Sequence, residues 1–215
     1  MPKGFLFSFL GFVFLGVSFA GSVYDFPLNA ENRPVLEKSF SILAAHNVTR
    51  GHFKQTKTIT RISRTFISEG TFVIADGNGI IWDTQKPFPS TLVITSDKIV
   101  QKTPQGKNST LDASDNAAFR EFSNTIQAVF SGKPSALYSQ FNIFFSVQGN
   151  QWKLGLIPKE EVVRSIISSI ELNGDLTLNS VLIKDGNQDL TRYEFSAHKY
   201  SEDLEPKEKD AFGRP

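Results

Sequence analysis

The chain contains no cysteine. Disulfide frameworks and cysteine-based metal or redox sites are therefore excluded, and the fold must rest on its apolar core. An excess of one charge is missing too, since 23 Lys and Arg face 22 Asp and Glu. A near-neutral chain lacks the electrostatic footprint of a nucleic-acid binder. After Val17 no apolar run approaches the ~18 residues a spanning helix needs, so no stable membrane insertion is expected. Catalytic spacings are equally scarce. There is no His-Glu-x-x-His, no Gly-x-Ser-x-Gly and no phosphate-cradling glycine loop. His46, His52 and His198 are scattered, and Glu69 and Asp83 read as a solvent face and a strand end. No enzyme, cofactor or metal site is expected.

What is present begins with an apolar N-terminus. Lys3 precedes the run Phe5 to Val17, and Ser18-Phe19-Ala20 places small residues at the −3 and −1 positions of a signal-peptidase site. Residues 1–20 are expected to be a cleaved signal peptide, and residues 21–215 a single domain. With no cysteine to carry a lipid, a bacterial chain of this kind is expected free in the periplasm. Removing the signal leaves 14 of the 20 phenylalanines.

The periodicity alternates between helical and extended. Asn32-Arg33-Pro34 reads as a helix start with Asn32 as a polar cap, and Val35 to Ala44 continue at helical spacing to about His46-Asn47. Strands are expected at 48–61, 65–75, 80–83, 91–96 and 98–103, with Asp76-Gly77-Asn78-Gly79 as a turn. In the second of them Phe66, Ser68, Gly70, Phe72 and Ile74 share one face. Residues 107–118 read as a loop. Ala117, Phe119, Phe122, Ile126, Val129 and Phe130 make an apolar helical stripe ending at Gly132, and Pro134–Ser139 suits one more turn. Further strands are expected at Phe141–Gln148, Trp152–Ile157, Val163–Leu172, Leu176–Lys184 and Leu190–Ala197. The charged tail from Ser201 has only Leu204 and Phe212 to bury. The sum is an α+β, mainly β fold: one antiparallel sheet of about ten strands with two or three helices. Phe144 makes its strand apolar on both faces, which suits either a cavity wall or a strand covered from outside.

The segment Gly51 to Val100 carries a resemblance. Gly51-His52-Phe53-Lys54-Gln55 is followed by Ser68-Glu69-Gly70-Thr71-Phe72, Gly79-Ile80-Ile81-Trp82-Asp83, Lys86-Pro87-Phe88-Pro89 and Val93-Ile94-Thr95-Ser96-Asp97. In order and spacing this resembles the LolA family of outer-membrane lipoprotein carriers. The resemblance implies an incomplete, curved antiparallel barrel of about 10–11 strands with helices covering its open side. It also implies a cavity for the acyl chains of lipoproteins or related lipids. An inner-membrane donor complex and an outer-membrane acceptor are the implied partners, and the carrier is expected to be a monomer.

Trp82 lies at the family's tryptophan position, with Ile80 on the same face. Phe72 and Ile74 are its expected neighbours, and alternation adds Phe53, Ile94, Phe141, Phe145 and Leu154 as lining candidates. Two departures mark a divergent member. The arginine-proline pair that holds the family's lid closed aligns with Asp76 and Gly77, and the family's extra C-terminal loop and strand find no counterpart after Phe212. An envelope sensor of the same fold, binding a protein partner, is the alternative reading.

Overall fold

The computed structural model describes residues 21–95, 99–103, 108–111, 124–125, 127–130 and 134–213. The expected signal peptide and its cleavage after Ala20, the turn at Ser96-Asp97, and Ala117, Phe119, Phe122, Ile126 and Gly132 lie outside these residues.

Eleven strands form one sheet: β1 (Val48–Ile59), β2 (Arg64–Ala75), β3 (Gly79–Lys86), β4 (Ser90–Ile94), β5 (Ile99–Lys102), β6 (Asn108–Leu111), β7 (Phe141–Gln148), β8 (Gln151–Pro158), β9 (Ile167–Gly174), β10 (Leu178–Asp185) and β11 (Leu190–Ser201). Their order is β6-β5-β4-β3-β2-β1-β11-β10-β9-β8-β7. Every neighbouring pair is antiparallel. The sheet is two meanders whose inner strands, β1 and β11, zip together in the middle, and it does not close into a barrel. Ile99 of β5 and Phe141 of β7 nevertheless belong to one contiguous buried cluster, so the sheet curves around a shared interior.

Four α-helices have defined limits: α1 (Arg33–Leu43), α2 (Ser135–Gln140), α3 (Glu161–Arg164) and α4 (Pro206–Phe212). Residues 124–125 and 127–130 are also helical. Leu36, Phe40 and Leu43 of α1, Val129 and Phe130, and Leu137 of α2 join the buried cluster, so these helices cover the concave face. The convex face is covered locally by α4, where Phe212 packs with Val48, Ala75, Ile81 and Val93. No helix among the described residues is long and apolar enough to cross a membrane.

Several elements differ from their expected form. Asn32 does not cap α1 with its side chain; its amide instead donates to the Pro27 and Phe145 carbonyls, tying the chain start to β7. The helix ends at Leu43 rather than near Asn47. Asn108–Leu111, expected in a loop, is the edge strand β6. Val163 opens no strand: Pro158 ends β8, and backbone bonds from Arg164 to Glu160 and from Ser165 to Glu161 wind one helical turn before β9 begins at Ile167. Residues 175–177 form a turn, with the Asp175 carboxylate accepting from the Thr177 N–H, so β10 starts at Leu178 rather than Leu176. β11 continues beyond Ala197 to Ser201, through a register shift against Arg50/His52 and a positive φ of 53° at Ala197. The charged tail folds as α4. Its start is a capping box in which the Glu208 carboxylate accepts from the Glu205 N–H at 2.7 Å.

The doubly apolar β7 is covered from outside by the N-terminal segment. Tyr24 meets the Phe144 ring edge-on at 5.4 Å, and the Phe145 N–H donates to the Phe26 carbonyl. Gly155 on β8 makes room for this contact, since a Cβ there would meet Val23 and Tyr24 at 2.8 Å.

Candidate functional site

The inward positions of the central strands are aromatic. Phe53 of β1, Phe72 of β2, Trp82 of β3, and Tyr193 and Phe195 of β11 form a continuous set on the concave face. Phe53 stacks on Trp82 at 4.0 Å, Tyr193 meets Trp82 edge-on at 5.3 Å, and Phe195 meets Phe72 edge-on at 5.3 Å. The period of two in each strand, in register Phe72↔Trp82 and Phe53↔Phe195, places them on one side.

All nine lining candidates lie in the same buried cluster: Trp82, Ile80, Phe72, Ile74, Phe53, Ile94, Phe141, Phe145 and Leu154. The sequence reading missed Tyr193, Phe195, Leu172 and Ile170, although alternation through 190–197 and 167–172 carried the same signal. It also missed the helical half of the interior, Leu36 and Phe40. The interior is filled: Trp82 is 2 % exposed, and Ile80, Leu154 and Phe40 are 0 % exposed. Helix side chains occupy the space that faces the sheet.

A cavity of about 330 Å³ lies where the helices meet the β2–β3 turn, lined by Ile74, Asp76, Gly77, Thr125, Ala128 and Leu137. Asp76 and Gly77 therefore line this cavity beside helical residues 124–125 and 127–130 and α2. The Asp76 N–H donates to the Asn47 carbonyl, and the Asn78 amide donates to the Asp76 carbonyl. No cation stands at those two positions. A second groove of about 680 Å³ runs beside β7, lined by residues that include Phe26, Val35, Phe145 and Val147.

The titratable groups are placed structurally. Burial pushes the Tyr193 hydroxyl up. Burial also lowers His198, against the opposing effects of a Leu178 backbone hydrogen bond and the Asp175 charge. His46 and His198, scattered in sequence, both lie against Tyr200, at 4.4 and 6.4 Å between ring centroids. Asp83 accepts a hydrogen bond from the Thr91 hydroxyl at 2.6 Å, and Glu69 lies 3.8 Å from Lys86, so each carboxylate has its own partner. No cluster of His, Asp or Glu suited to a metal occurs among the described residues.

The sequence matches the family model described as the outer membrane lipoprotein carrier protein LolA over residues 45–208, well over half of the chain. The chain belongs to the LolA family. Among curated proteins, no sequence matches it. Solved structures similar to this LolA-family chain include a LolA superfamily protein from Nitrosomonas europaea at 8% identity, covering 81% of this chain and 95% of that one, with a TM-score of 0.46. A DUF1329 family protein from Desulfovibrio piger shows 11% identity, coverages of 83% and 94%, and a TM-score of 0.48. A chain of the Pseudomonas aeruginosa MucA/MucB complex shows 12% identity, coverages of 81% and 60%, and a TM-score of 0.46.

Proposed function

We propose that the protein is a periplasmic carrier that shields the acyl chains of lipoproteins or related lipids between its curved sheet and its helices. It carries them toward the outer membrane, taking cargo from an inner-membrane donor and yielding it to an outer-membrane acceptor. The observation that supports this most directly is the aromatic and aliphatic concave face, centred on Trp82 and Ile80, beneath short helices rather than a second sheet. Each CH₂ left in water costs about 0.8 kcal/mol, so acyl chains cross an aqueous space only when covered. The filled interior sets the terms of exchange. α1 has 11 residues and α2 has 6, lengths that depend on tertiary packing for stability. An entering acyl chain replaces the contacts of Leu36, Phe40 and Leu137, so its net affinity is the difference between two apolar packings. A small difference lets a carrier release its load. No catalytic step is part of this reading.

The test is a titration of the purified protein with a dansyl-labelled undecanoic acid. Saturable enhancement, competed by palmitate, is expected for the wild type, and its loss in a folded Trp82→Asp variant. Where that variant does not fold, Trp82→Ala with a weakened titration serves the same purpose. A wild type without saturable binding, or a folded Trp82→Asp that binds as well, overturns the carrier reading.

The alternative, an envelope module that binds a protein partner, draws support from the groove beside β7, where exposed Phe26, Val35 and Val147 lie among polar side chains. A native mass spectrum of the protein taken from its own periplasm separates the two. Lipid or acylated-protein adducts support the carrier, and a stoichiometric protein complex free of lipid supports the module.

A further inference from the structure

Five of the most exposed apolar side chains lie at one end of the sheet. Ile62, Phe66 and Ile67 on the β1–β2 hairpin are 51%, 52% and 50% exposed, Phe88 beyond β3 is 82% exposed, and Val162 on α3 is 74% exposed. Hydrogen bonds join the segments that carry most of them. The Thr60 N–H donates to the Asp189 carboxylate and its hydroxyl to the Gln188 carbonyl, while the Gly186 N–H donates to the Ile166 carbonyl. The hairpin tip, the β10–β11 turn and the α3–β9 link are thus one continuous rim.

Two features separate the hairpin from ordinary surface. β3 ends at Lys86, opposite Glu69, so Arg64–Ser68 of β2 has no neighbouring strand on its outer side among the described residues. Phe66 and Ile67, adjacent on that overhang, project from opposite faces of it. The second feature is charge. No Asp or Glu occurs from Lys38 to Ser68, whereas Lys57, Arg61 and Arg64 surround the tip and are exposed. Acids occur on the rest of the rim, with Asp189 on the Thr60 N–H, Asp185 in the β10–β11 turn, Glu160 and Glu161 beside Val162, and Glu69 facing Lys86. The basic excess therefore belongs to the hairpin itself.

We infer that this rim docks reversibly on the surface of an anionic lipid bilayer. Ile62, Phe66 and Ile67 enter the headgroup layer, and Lys57, Arg61 and Arg64 meet the lipid phosphates. Phe66 and Ile67 project from opposite faces of the overhang, and immersion of the tip in a headgroup layer covers both at once. The cationic side chains of the hairpin, which carries no acid of its own before Glu69, complement an anionic surface. None of these residues belongs to the buried cluster, so the inference stands apart from the cargo reading and can fail without it.

The experiment is co-sedimentation of the purified protein with vesicles of mixed phosphatidylethanolamine and phosphatidylglycerol, against vesicles of phosphatidylcholine alone, at low and physiological salt. Binding is expected to the anionic vesicles only, and to weaken with salt. An Ile62→Asp/Phe66→Asp variant is expected to lose roughly tenfold or more in partitioning. Arg61→Gln and Arg64→Gln are expected to lose about fivefold each. Circular dichroism and the dansyl titration are expected to stay as in the wild type. A wild type that leaves the anionic vesicles unbound at low salt overturns the inference, as does equal binding to phosphatidylcholine. So does a folded double variant that sediments normally, or capture of the hairpin by a protein with no vesicle binding. Should the double variant not fold, the two arginine variants, changed only at exposed tip positions, give the decision.

Discussion

Phe53 and Trp82 stack at 4.0 Å although their strands are not neighbours; β2 runs between them. The contact exists because Gly70, opposite Phe53 on β2, puts no side chain in the way. A Cβ at Gly70 would stand 2.9 Å from the Phe53 ring and 1.9 Å from the Asp83 carbonyl oxygen. Gly70→Ala is therefore expected to lower unfolding free energy by about 2 kcal/mol or more, as overpacking does. It is also expected to alter the near-ultraviolet circular dichroism. Unchanged denaturant midpoints would show that β3 shifts freely away from β2.

Arg50 ties the last helix to the sheet. Its Nε and Nη2 donate to the two oxygens of Glu208 at 2.6 Å each, and its Nη1 donates to the Ser201 hydroxyl. Burial alone would raise the Glu208 carboxyl; the hydrogen bonds from Arg50 and the Glu205 N–H, with the Arg50 charge, outweigh it and hold the group below the usual glutamate range. Its stabilisation is complete above that range and is lost as pH falls through the depressed value. Arg50→Met is expected to cost about 3 kcal/mol by leaving a carboxylate buried without its partner. Glu208→Gln is expected to cost less and to flatten the acid limb of a stability–pH curve. Urea unfolding of both variants and their double mutant checks the coupling between them.

Phe40 on α1 offers a test in which two readouts move oppositely. It is 0 % exposed against the concave face, so Phe40→Ala is expected to destabilise the fold by about 3–5 kcal/mol. Under the carrier reading, Phe40 also competes with cargo for the same surface, and its truncation is expected to tighten dansyl-undecanoate binding several-fold. A variant both less stable and weaker in binding would place Phe40 among the cargo contacts instead.

The central strands were legible because their inward faces alternate, even where α4 also covers Ala75, Ile81 and Val93 on the other side. Phe72, Ile74, Ile80 and Trp82 alternate strictly, and Asp76-Gly77-Asn78-Gly79 fixes their register, with Gly79 at a φ of 125°. Alternation puts Phe66 on the face of Phe72 and Ile74, yet β3 stops short of it and it stays half exposed, because strand length is a tertiary outcome. Val163 reads as a strand start because it is β-branched, yet the chain leaving Pro158 winds through a helical turn there. α4 hid beneath its charges, although Glu205-Pro206 and Glu208 carried a capping signal and Gly213 an end signal. The partnership of Arg50 with Glu208 spans 158 residues of sequence, and neither residue announces it locally.

The central β1–β11 ladder has a kinetic consequence. It pairs Val48 with Ser201, nearly the whole length of the described chain apart, while the other strand pairs join sequence neighbours. Each meander can begin to assemble from local contacts, but their union waits for the last strand to become available. Loop closure on that scale makes folding slow, and the two halves meet late. A nascent chain ending at Asp189 would present the inner edges of both meanders, β1 and β10, unpaired, so the sheet is joined only when β11 emerges.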